Sequence, residues 1–566
     1  MTISIERRAQ IFPVLTPAQR DAARRFASAP EATFGPGQIL FGLGSAQAPA
    51  YLVISGRVDV VSRRPGGGEA EVASHGPGEI TGEIGQLAGR PALAEGRAGP
   101  GGCVALPFDP AHLRALIVGS AEIGEIVMRA FILRRTALIV EGGAGAVLLG
   151  STADPALTRL RGFLTRNGFP HVVLNTLSDP DAATLVEKFA VLSDETPVLI
   201  CPNGALLKRP TDAEAGSALG LTPLLDQERL YDVAIVGAGP AGLATAVYAA
   251  SEGLSALVLD SRAFGGQAGA SARIENYLGF PTGITGQALT ARAFAQAQKF
   301  GAEIAIPLEV ERLDCGGEDR RPGDPLRLWL ADGRTVQSRC VVVASGVRYR
   351  RPDIANLAAF EGAGVSYWAS PVEAKLCEGE DVALVGAGNS AGQAVVFLSP
   401  KVKKLHLVVR GEGLAASMSR YLIDRIAALP NVELHTRSEI VALDGEAQIA
   451  LSRATLRDRE SGATRDLALR HLFLFIGADP NTGWLESCAA KVDDKGFIVT
   501  GADAVGNLDA WTPFRRGPSP LETSIPGVFA IGDVRAGSTK RVASAVGEGA
   551  AVVAQLHAVL AKVGAA

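Results

Sequence analysis

The sequence predicts an α/β protein: two three-layer units, each built on a parallel sheet, preceded by a small β-barrel and a small α/β module. Three observations carry that prediction. Residues 233–236 form a short apolar run, followed at once by Gly237, Gly239 and Gly242 in the spacing G-x-G-x-x-G. The pattern returns at 381–391, where Gly386, Gly388, Asn389, Ser390 and Ala391 complete G-x-G-x-x-A behind a second apolar run. Residues 32–108 instead alternate short β-type runs with Gly/Pro turns, as small barrels and sandwiches do.

In the first fingerprint, Gly237 permits a tight turn and Gly239 lets the backbone approach a pyrophosphate. Gly242 lets the following helix pack close to the strand. Pro240 and Ala241 open that helix, whose unpaired N–H groups and positive dipole end suit an anion. Residues 254–259 read as the next strand, ended by Asp260, an acid placed to hydrogen-bond ribose hydroxyls. The glycines alone could mark an ordinary turn. Strand, turn, helix, strand and acid in sequence point to a dinucleotide, and the two units are Rossmann-like.

Bulk properties narrow the class. A chain of 566 residues suggests about three or four domains. The net charge of −4 offers no basic footprint, so no nucleic-acid partner is expected. No run of 18 apolar residues occurs, so no membrane partner is expected, and the N-terminus has no apolar signal region. The six cysteines include no C-x-x-C, so no local zinc knuckle or redox dithiol can form. Free thiols in a cytoplasmic protein are the simplest expectation. The seven histidines show no triad or metal spacing, and no metal is expected.

Taken in order, residues 1–140 place helical patterns at 17–27 and 110–135 around strands at 39–41, 51–54 and 58–61. The pieces FGPGQILFGLGS, YLVISGRVDV and GEITGEIGQLAGRP make this region resemble a cyclic-nucleotide-binding domain. Gly82-Glu83 matches the family's Gly-Glu, whose acid takes the ribose hydroxyl. The family's phosphate-binding Arg falls on Ala92, and Arg90 and Arg97 are out of register. A buried phosphate without a cation is expensive, so a degenerate regulatory or assembly domain is expected.

Residues 141–220 read as strand 146–150, an amphipathic helix 155–167 burying Leu157, Leu160, Phe163 and Leu164, and strands at 172–174 and 198–201. This module resembles a thioredoxin or glutaredoxin fold, with Thr196-Pro197 at the family's cis-proline. Its C-x-x-C would fall at Ser151-Thr152-Ala153-Asp154, where no cysteine stands, so a scaffold contacting other domains or a protein partner is expected. Residues 208–230 read as an ending helix and linker.

Residues 229–566 resemble the low-molecular-weight thioredoxin reductases. Gly265-Gly266-Gln267 matches the family's G-G-Q, Ala344-Ser345-Gly346 its A-T-G, and Ile476-Gly477 with Pro480-Asn481-Thr482 its I-G-x-x-P-N-T. Gly532-Asp533 matches the acid that holds the ribityl chain, and Arg541-Val542-Ala543 falls at R-Q-A. The resemblance implies an FAD-binding domain at 229–346 and 476–566, with an NAD(P)-binding domain at 347–475 inserted. It adds Ser261 and Asn276 to the FAD site and implies a homodimer. Ile476 and Gly477 join the second fingerprint at the NAD(P) site, which takes NADPH or NADH. The family reads the 2′-phosphate with H-R-R-x-x-x-R; here only Arg410 remains, with Glu412 nearby.

One departure decides the expected function. The family's redox dithiol falls at Trp368-Ala369-Ser370-Pro371, and Trp368 and Pro371 occupy the two cysteine places. The expectation is an FAD-dependent NAD(P)H oxidoreductase delivering electrons to oxygen, a quinone, a small organic substrate or a protein carrier, with Trp368 over the flavin or in the core. The alternatives are a thioredoxin-disulfide reductase using cysteines from elsewhere or from a partner, and a non-catalytic flavin- or nucleotide-sensing scaffold. Residues 511–516 (WTPFRR) read as an exposed aromatic and basic loop that could meet an acceptor or be a plain surface turn.

Overall fold

The computed structural model describes residues 5–563 apart from 64–67, 142–144, 153, 272, 318–319, 370, 447–449 and 506–510; Ala153 and Ser370, named above, lie outside the described residues. The chain begins with α1 (Ile5–Ile11) and α2 (Pro17–Arg24), the latter started by a capping box between Thr16 and Gln19. Strands β1 (Ala32–Phe34), β2 (Ile39–Phe41), β3 (Ala50–Arg63), β4 (Glu69–His75) and β5 (Glu95–Phe108) form one antiparallel sheet in the order β1-β5-β3-β4, with β2 also on β5. The strands expected at 51–54 and 58–61 are one long β3, bulged against β5 on both sides of Gly56. Gly56 has φ +75°. A Cβ there would lie 2.1 Å from the Gly102 carbonyl oxygen, so a bend forms where a side chain would clash. The single helical pattern at 110–135 is two helices, α3 (Pro110–Gly119) and α4 (Ala121–Glu141), broken at Ser120 in an extended conformation.

The second module runs β6 (Ala146–Gly150), α5 (Pro155–Arg166), β7 (His171–Asn175), α6 (Pro180–Lys188), β8 (Val198–Ile200), β9 (Leu206–Lys208) and α7 (Asp212–Ala218). Its sheet order is β7-β6-β8-β9, with β6 parallel to β7 and antiparallel to β8. Asp154 caps α5, and the four apolar residues spaced along that helix are its buried face. The Thr196–Pro197 bond is cis.

The main body begins with β10 (Leu230–Val236), α8 (Pro240–Ser251), β11 (Ala256–Leu259), α9 (Gly266–Gly269), α10 (Gly286–Lys299), β12 (Glu303–Ala305), β13 (Val310–Asp314), β14 (Leu326–Leu330) and β15 (Thr335–Val343). The chain leaves through β16 (Val347–Tyr349) into β17 (Val365–Ser366), α11 (Pro371–Leu376), β18 (Asp381–Val385), α12 (Asn389–Leu398), β19 (Lys404–Val408), α13 (Arg420–Ala427) and β20 (Val432–His435). It continues through β21 (Ser438–Glu446), β22 (Ala450–Asp458), β23 (Thr464–Ala468) and β24 (His471–Leu474). It returns by β25 (Ala478–Pro480), β26 (Val528–Ala530) and α14 (Val542–Val563).

The larger sheet has the order β12-β11-β10-β15-β14-β13, and β26 closes on β15. Because β10 lies between parallel β11 and β15 and is covered on both faces, its residues 233–236 are continuously apolar rather than alternating. The smaller parallel sheet, β17-β24-β18-β19-β20, is flanked by the meander β21-β22-β23. The outgoing β16 and returning β25 pair antiparallel, so both crossings between the two sheets run through one short ribbon. Helix α14 is long and apolar enough to cross a membrane by length and composition. Its Val552, Val553 and Leu556 are buried in the core with α8, and the Thr245 hydroxyl donates to the Gly549 carbonyl across that contact.

Two expectations are corrected. Cys315 and Cys488 are joined as a disulfide, their Cα atoms 6.0 Å apart, because the end of β13 meets the 3-10 turn Gly483–Cys488. The other four cysteines are free and buried. The 511–516 loop is not exposed at its aromatic end: Trp511 is 2% exposed, with the Arg516 guanidinium 5.1 Å from its ring centre. Arg516 forks onto the fully buried Glu522 at 2.5 and 2.6 Å, so the two ends of the loop are held inward while Thr512, Pro513 and Arg515 between them stay exposed.

Candidate functional site

The first fingerprint forms the turn between β10 and α8, at the carboxyl end of the central strands, where open α/β sheets bind ligands. Gly237 has φ +113° and passes so close to the neighbouring loop that a Cβ would lie 2.2 Å from the Ala344 carbonyl oxygen. A Cβ on Gly242 would lie 1.9 Å from the Gly237 oxygen, whereas one on Gly239 would meet only the Gly266 Cα, at 4.0 Å. Gly239 begins α8 with no side-chain cap; Pro240 has no N–H, so the donors left without a cap in the first turn are the N–H groups of Ala241 and Gly242. The Asp260 carboxylate accepts from the Ala238 N–H at 2.9 Å and from the Arg262 and Ala263 N–H groups at 2.9 and 3.1 Å. It thereby ties the end of β11 to the turn; Ser261 beside it is exposed.

The later motifs converge on this turn. Gly265 (φ +94°) donates its N–H to the Ala238 oxygen at 2.7 Å, and Gln267 donates its side-chain amide to the Val347 oxygen. Ala344 bonds the Val236 oxygen, Ser345 donates to the Asn481 oxygen at 2.8 Å, and Gly346 turns at φ +63°. Gly532-Asp533 forms a 3-10 turn at the foot of α14, next to Arg541, Val542 and Ala543. Burial raises the Asp533 pKa, with Lys540 opposing and Glu548 adding. Among the described residues no hydrogen bond engages its carboxylate, which leaves an acceptor for a hydroxylated ligand. A glycine cradle, an uncapped helix start and an unengaged half-buried acid together fit FAD. Asn276 is exposed in the loop after α9.

The second cradle lies between β18 and α12. Gly386 has φ +150°, and a Cβ there would meet the Phe475 oxygen at 2.5 Å; Gly388 faces open space. Asn389 accepts from the Ser419 N–H at 2.7 Å, Ser390 is exposed and Ala391 packs beneath the turn. Ile476 is half-buried, and Gly477 (φ +98°) accepts from the Arg350 N–H at 2.9 Å. Arg410 is exposed beyond β19, 3.9 Å from Glu439. The structure adds two cations that the linear pattern missed. Arg437 pairs with Glu412 and Glu460, and Arg459 donates to the Arg410 carbonyl. Arg437 comes from the β20–β21 connection, where its N–H donates to the Gly411 carbonyl at 2.9 Å, and Arg459 from the β22–β23 turn, so neither falls within the stretch just after β19 that the linear pattern reads. This cradle fits a nicotinamide dinucleotide, with Arg410 and Arg437 at its rim.

Trp368 donates its indole N–H to Glu373 at 2.9 Å and is half-buried, while Pro371 is exposed and opens α11. An aromatic overlooked in the sequence stands beside residues of the flavin cradle. Tyr349, in the crossing ribbon, stacks on Tyr367 with ring centres 6.0 Å apart. Burial pushes its hydroxyl up to about 12, with Arg166 lowering and Asp533 raising it. The two sheets also meet through Arg425 on α13, 2.6 Å from Glu275.

Away from both cradles, His406 and His435 meet at 3.0 Å on adjacent strands with Glu433, and their ligand atoms all lie within 4.8 Å. Lys404 and Arg465 both pair with Glu433, and Arg465 also reaches His435 at 2.8 Å. Two fixed positive charges there disfavour a divalent cation.

Two dinucleotide cradles, one on a parallel sheet inserted into the other, define a flavin- and nicotinamide-dependent oxidoreductase. Residues 231–549 match the pyridine nucleotide-disulphide oxidoreductase family, and residues 31–119 match the cyclic nucleotide-binding domain. The chain belongs to the pyridine nucleotide-disulphide oxidoreductase family, and binds FAD and NADPH or NADH as that family does. It is 31% identical over 319 residues to a thioredoxin reductase from Streptomyces clavuligerus, covering 56% of this chain and 90% of that protein. It is 32% identical over 320 residues to that of Treponema pallidum, covering 56% and 94%. The crystal structure of T. acidophilum thioredoxin reductase superposes with a TM-score of 0.51 at 27% identity, over 58% of this chain and 99% of that one.

Proposed function

We propose that this chain moves a hydride from NADPH or NADH to FAD and passes the electrons to an acceptor other than an internal disulfide: oxygen, a quinone, a small organic substrate or a protein carrier. The observation that carries this reading is the absence of any C-x-x-C from the sequence; on the resemblance, Trp368 and Pro371 take the places of the two redox cysteines. The remaining thiols support it. Cys377 is fully buried, its Sγ 3.7 Å from the Ala374 oxygen, and burial pushes its thiol up to about 11. Burial likewise pushes Cys201 up to about 11 and Cys340 up to about 12, so none is a thiolate near neutral pH.

The Cys315–Cys488 disulfide favours the second reading, a disulfide reductase, but its place argues against direct exchange with the flavin. Asp314, just before Cys315, is level with Arg327, which is level with Gln337 on β15. The cradle lies beyond Val343, the far end of that strand. Six residues of strand and two lateral strand spacings separate them by on the order of 20 Å.

FAD, when bound, supplies hydride acceptance and one- or two-electron delivery. The chain binds it at the α8 start, binds the nicotinamide dinucleotide at the α12 start, and turns one sheet against the other through the β16–β25 ribbon. Breaking Arg425–Glu275 would accompany that turn. The test is turnover of NADPH and NADH against oxygen, quinones and dyes, beside a thioredoxin-coupled assay. Sustained thioredoxin reduction would overturn the reading.

The N-terminal modules serve as scaffolds in this account. The β-α-β-α-β-β-α order and cis-Pro197 support a thioredoxin-like second module, with Asp154 capping the helix where a thiol would stand. In the first module, Glu83 is paired with Arg135 at 3.3 Å, and Arg90 stacks 5.2 Å over Phe294 of α10. Both side chains are thus committed to contacts with other parts of the chain. An exposed face of small residues on α14, including Ala551, Ala554 and Ala558, supports a homodimer.

A further inference from the structure

The last turn of α5 and the residues after it, Thr165 to Phe169, press against the loop that follows Asp260. Asn167 is buried and donates its side-chain amide to the Arg262 carbonyl at 3.0 Å. Gln287 on α10 donates to the Thr165 carbonyl at 2.9 Å, and a Cβ on Gly168 would meet the Phe264 ring at 3.9 Å. Arg166 donates from Nη2 to the Gly266 carbonyl at 3.0 Å. Gly266 itself lies against the fingerprint: a Cβ there would meet the Gly239 Cα at 3.1 Å. The second module therefore places a guanidinium one residue away from the glycine over which a pyrophosphate passes.

That guanidinium has donors to spare. An arginine carries five N–H donors and is always charged in proteins. Arg166 is half-buried, its one described hydrogen bond goes to Gly266, and among the described residues it makes no ion pair. A half-buried cation without a carboxylate partner calls for an anion. Arg262 stands close enough to repel it, while Asp260 attracts it. Both belong to the flavin cradle or its rim.

We propose that Arg166 is an FAD-binding residue supplied by the second module, its free N–H groups directed to the cofactor's phosphates. Residue 166 lies outside the stretch that matches the oxidoreductase family, so the relatives' flavin domains have no counterpart position within that match. The second module thus completes the flavin site and is not merely tethered to it. Arg135 grips the same turn from the other side, donating to the Gly168 carbonyl at 3.0 Å while paired with Glu83. The first module therefore buttresses the segment that carries Arg166.

The proposal rests on the flavin assignment, and one titration separates the two. Full-length apoprotein is titrated with FAD for wild type, Arg166→Gln and Arg166→Lys, with apoprotein melting as the fold control. Gln keeps an amide N–H for Gly266 but loses the charge; Lys keeps the charge. The expected result is a Kd raised about tenfold or more for Arg166→Gln, with a weaker salt dependence, and about threefold or less for Arg166→Lys. Wild-type affinity in Arg166→Gln, or equal loss in both variants, overturns the role of Arg166. Failure of wild type to bind FAD overturns the flavin assignment instead. Should Arg166→Gln not fold, arginine-directed phenylglyoxal labelling of the unmodified chain decides. FAD is expected to protect Arg166, and equal labelling with and without FAD contradicts the proposal.

Discussion

Exchanging Gly239 and Gly242 separately for alanine tests the flavin cradle, because the two glycines face different neighbours. Gly239 has φ −73°, which any residue adopts, and its added Cβ meets nothing nearer than the Gly266 Cα at 4.0 Å. The folded chain loses essentially nothing in Gly239→Ala, and the stiffer unfolded chain could even return about 0.4–1 kcal/mol. Gly242 differs: its Cβ would stand 1.9 Å from the Gly237 oxygen, a backbone atom of the same turn. Relieving that contact needs a shift of about 1 Å in the β10–α8 connection, at a cost of about 1–3 kcal/mol. For a domain of this size that is several degrees of melting temperature. The assay is melting of the apoprotein together with FAD titration. Gly239→Ala should melt like wild type yet bind FAD at least tenfold more weakly, since the methyl fills only space meant for the pyrophosphate. Gly242→Ala should lose both. Unchanged FAD affinity in Gly239→Ala would refute the claim that the pyrophosphate passes over that residue.

Three further outcomes follow from named contacts. Arg437→Ala should raise KM for NADPH about five- to tenfold and leave NADH unchanged, because a rim cation contributes about 1 kcal/mol to a phosphate; equal changes for both would place the 2′-phosphate elsewhere. Titration with cAMP or cGMP should not shift the melting temperature, because Glu83 is engaged by Arg135 and Ala92 offers the phosphate no cation; a clear shift would show a working nucleotide site. Burial lowers the His435 pKa to about 4, with Glu433 opposing and Arg465, His406 and Lys404 adding. The unfolded chain takes up a proton near pH 6.5 that the folded chain refuses, so stability falls as pH drops from about 6.5 to about 4. His435→Gln should flatten the melting curve in that window, and an unchanged pH profile would remove His435 as its source.

Both cradles were legible in the sequence because their signals are local: a strand, three glycines or two with an alanine, and a helix within a dozen residues. The same holds for the buried face of α5 and the cis-proline. Most of the features that escaped join distant segments. Cys315 and Cys488 are 173 residues apart and meet only because β13 ends against the turn after β25. Arg437 and Arg459 reach the nicotinamide cradle from the β20–β21 connection and the β22–β23 turn, and Arg166 reaches the flavin cradle from another module. His406 and His435 meet only when β19 and β20 pair in register. Trp511 looked exposed because polar and turn-forming residues surround it in the chain, yet the Arg516–Glu522 pair draws it into the core. Sequence spacing reports what one turn or one helix face can bring together; the long-range contacts need the whole sheet, and the Trp511 loop needs the buried carboxylate that its composition does not announce.

The central claim is that electrons stop at the flavin and no internal disulfide takes them onward. Anaerobic titration of the holoenzyme with NADPH or dithionite, counting electrons against flavin absorbance, tests it most directly. The account predicts bleaching within seconds of adding NADPH or NADH, complete at about two electrons per FAD, and the same count in Cys315→Ser. Four electrons per FAD in wild type, falling to two in Cys315→Ser, would contradict it and return the chain to disulfide chemistry. No bleaching with either nicotinamide would contradict it from the other side and leave a flavin-binding scaffold.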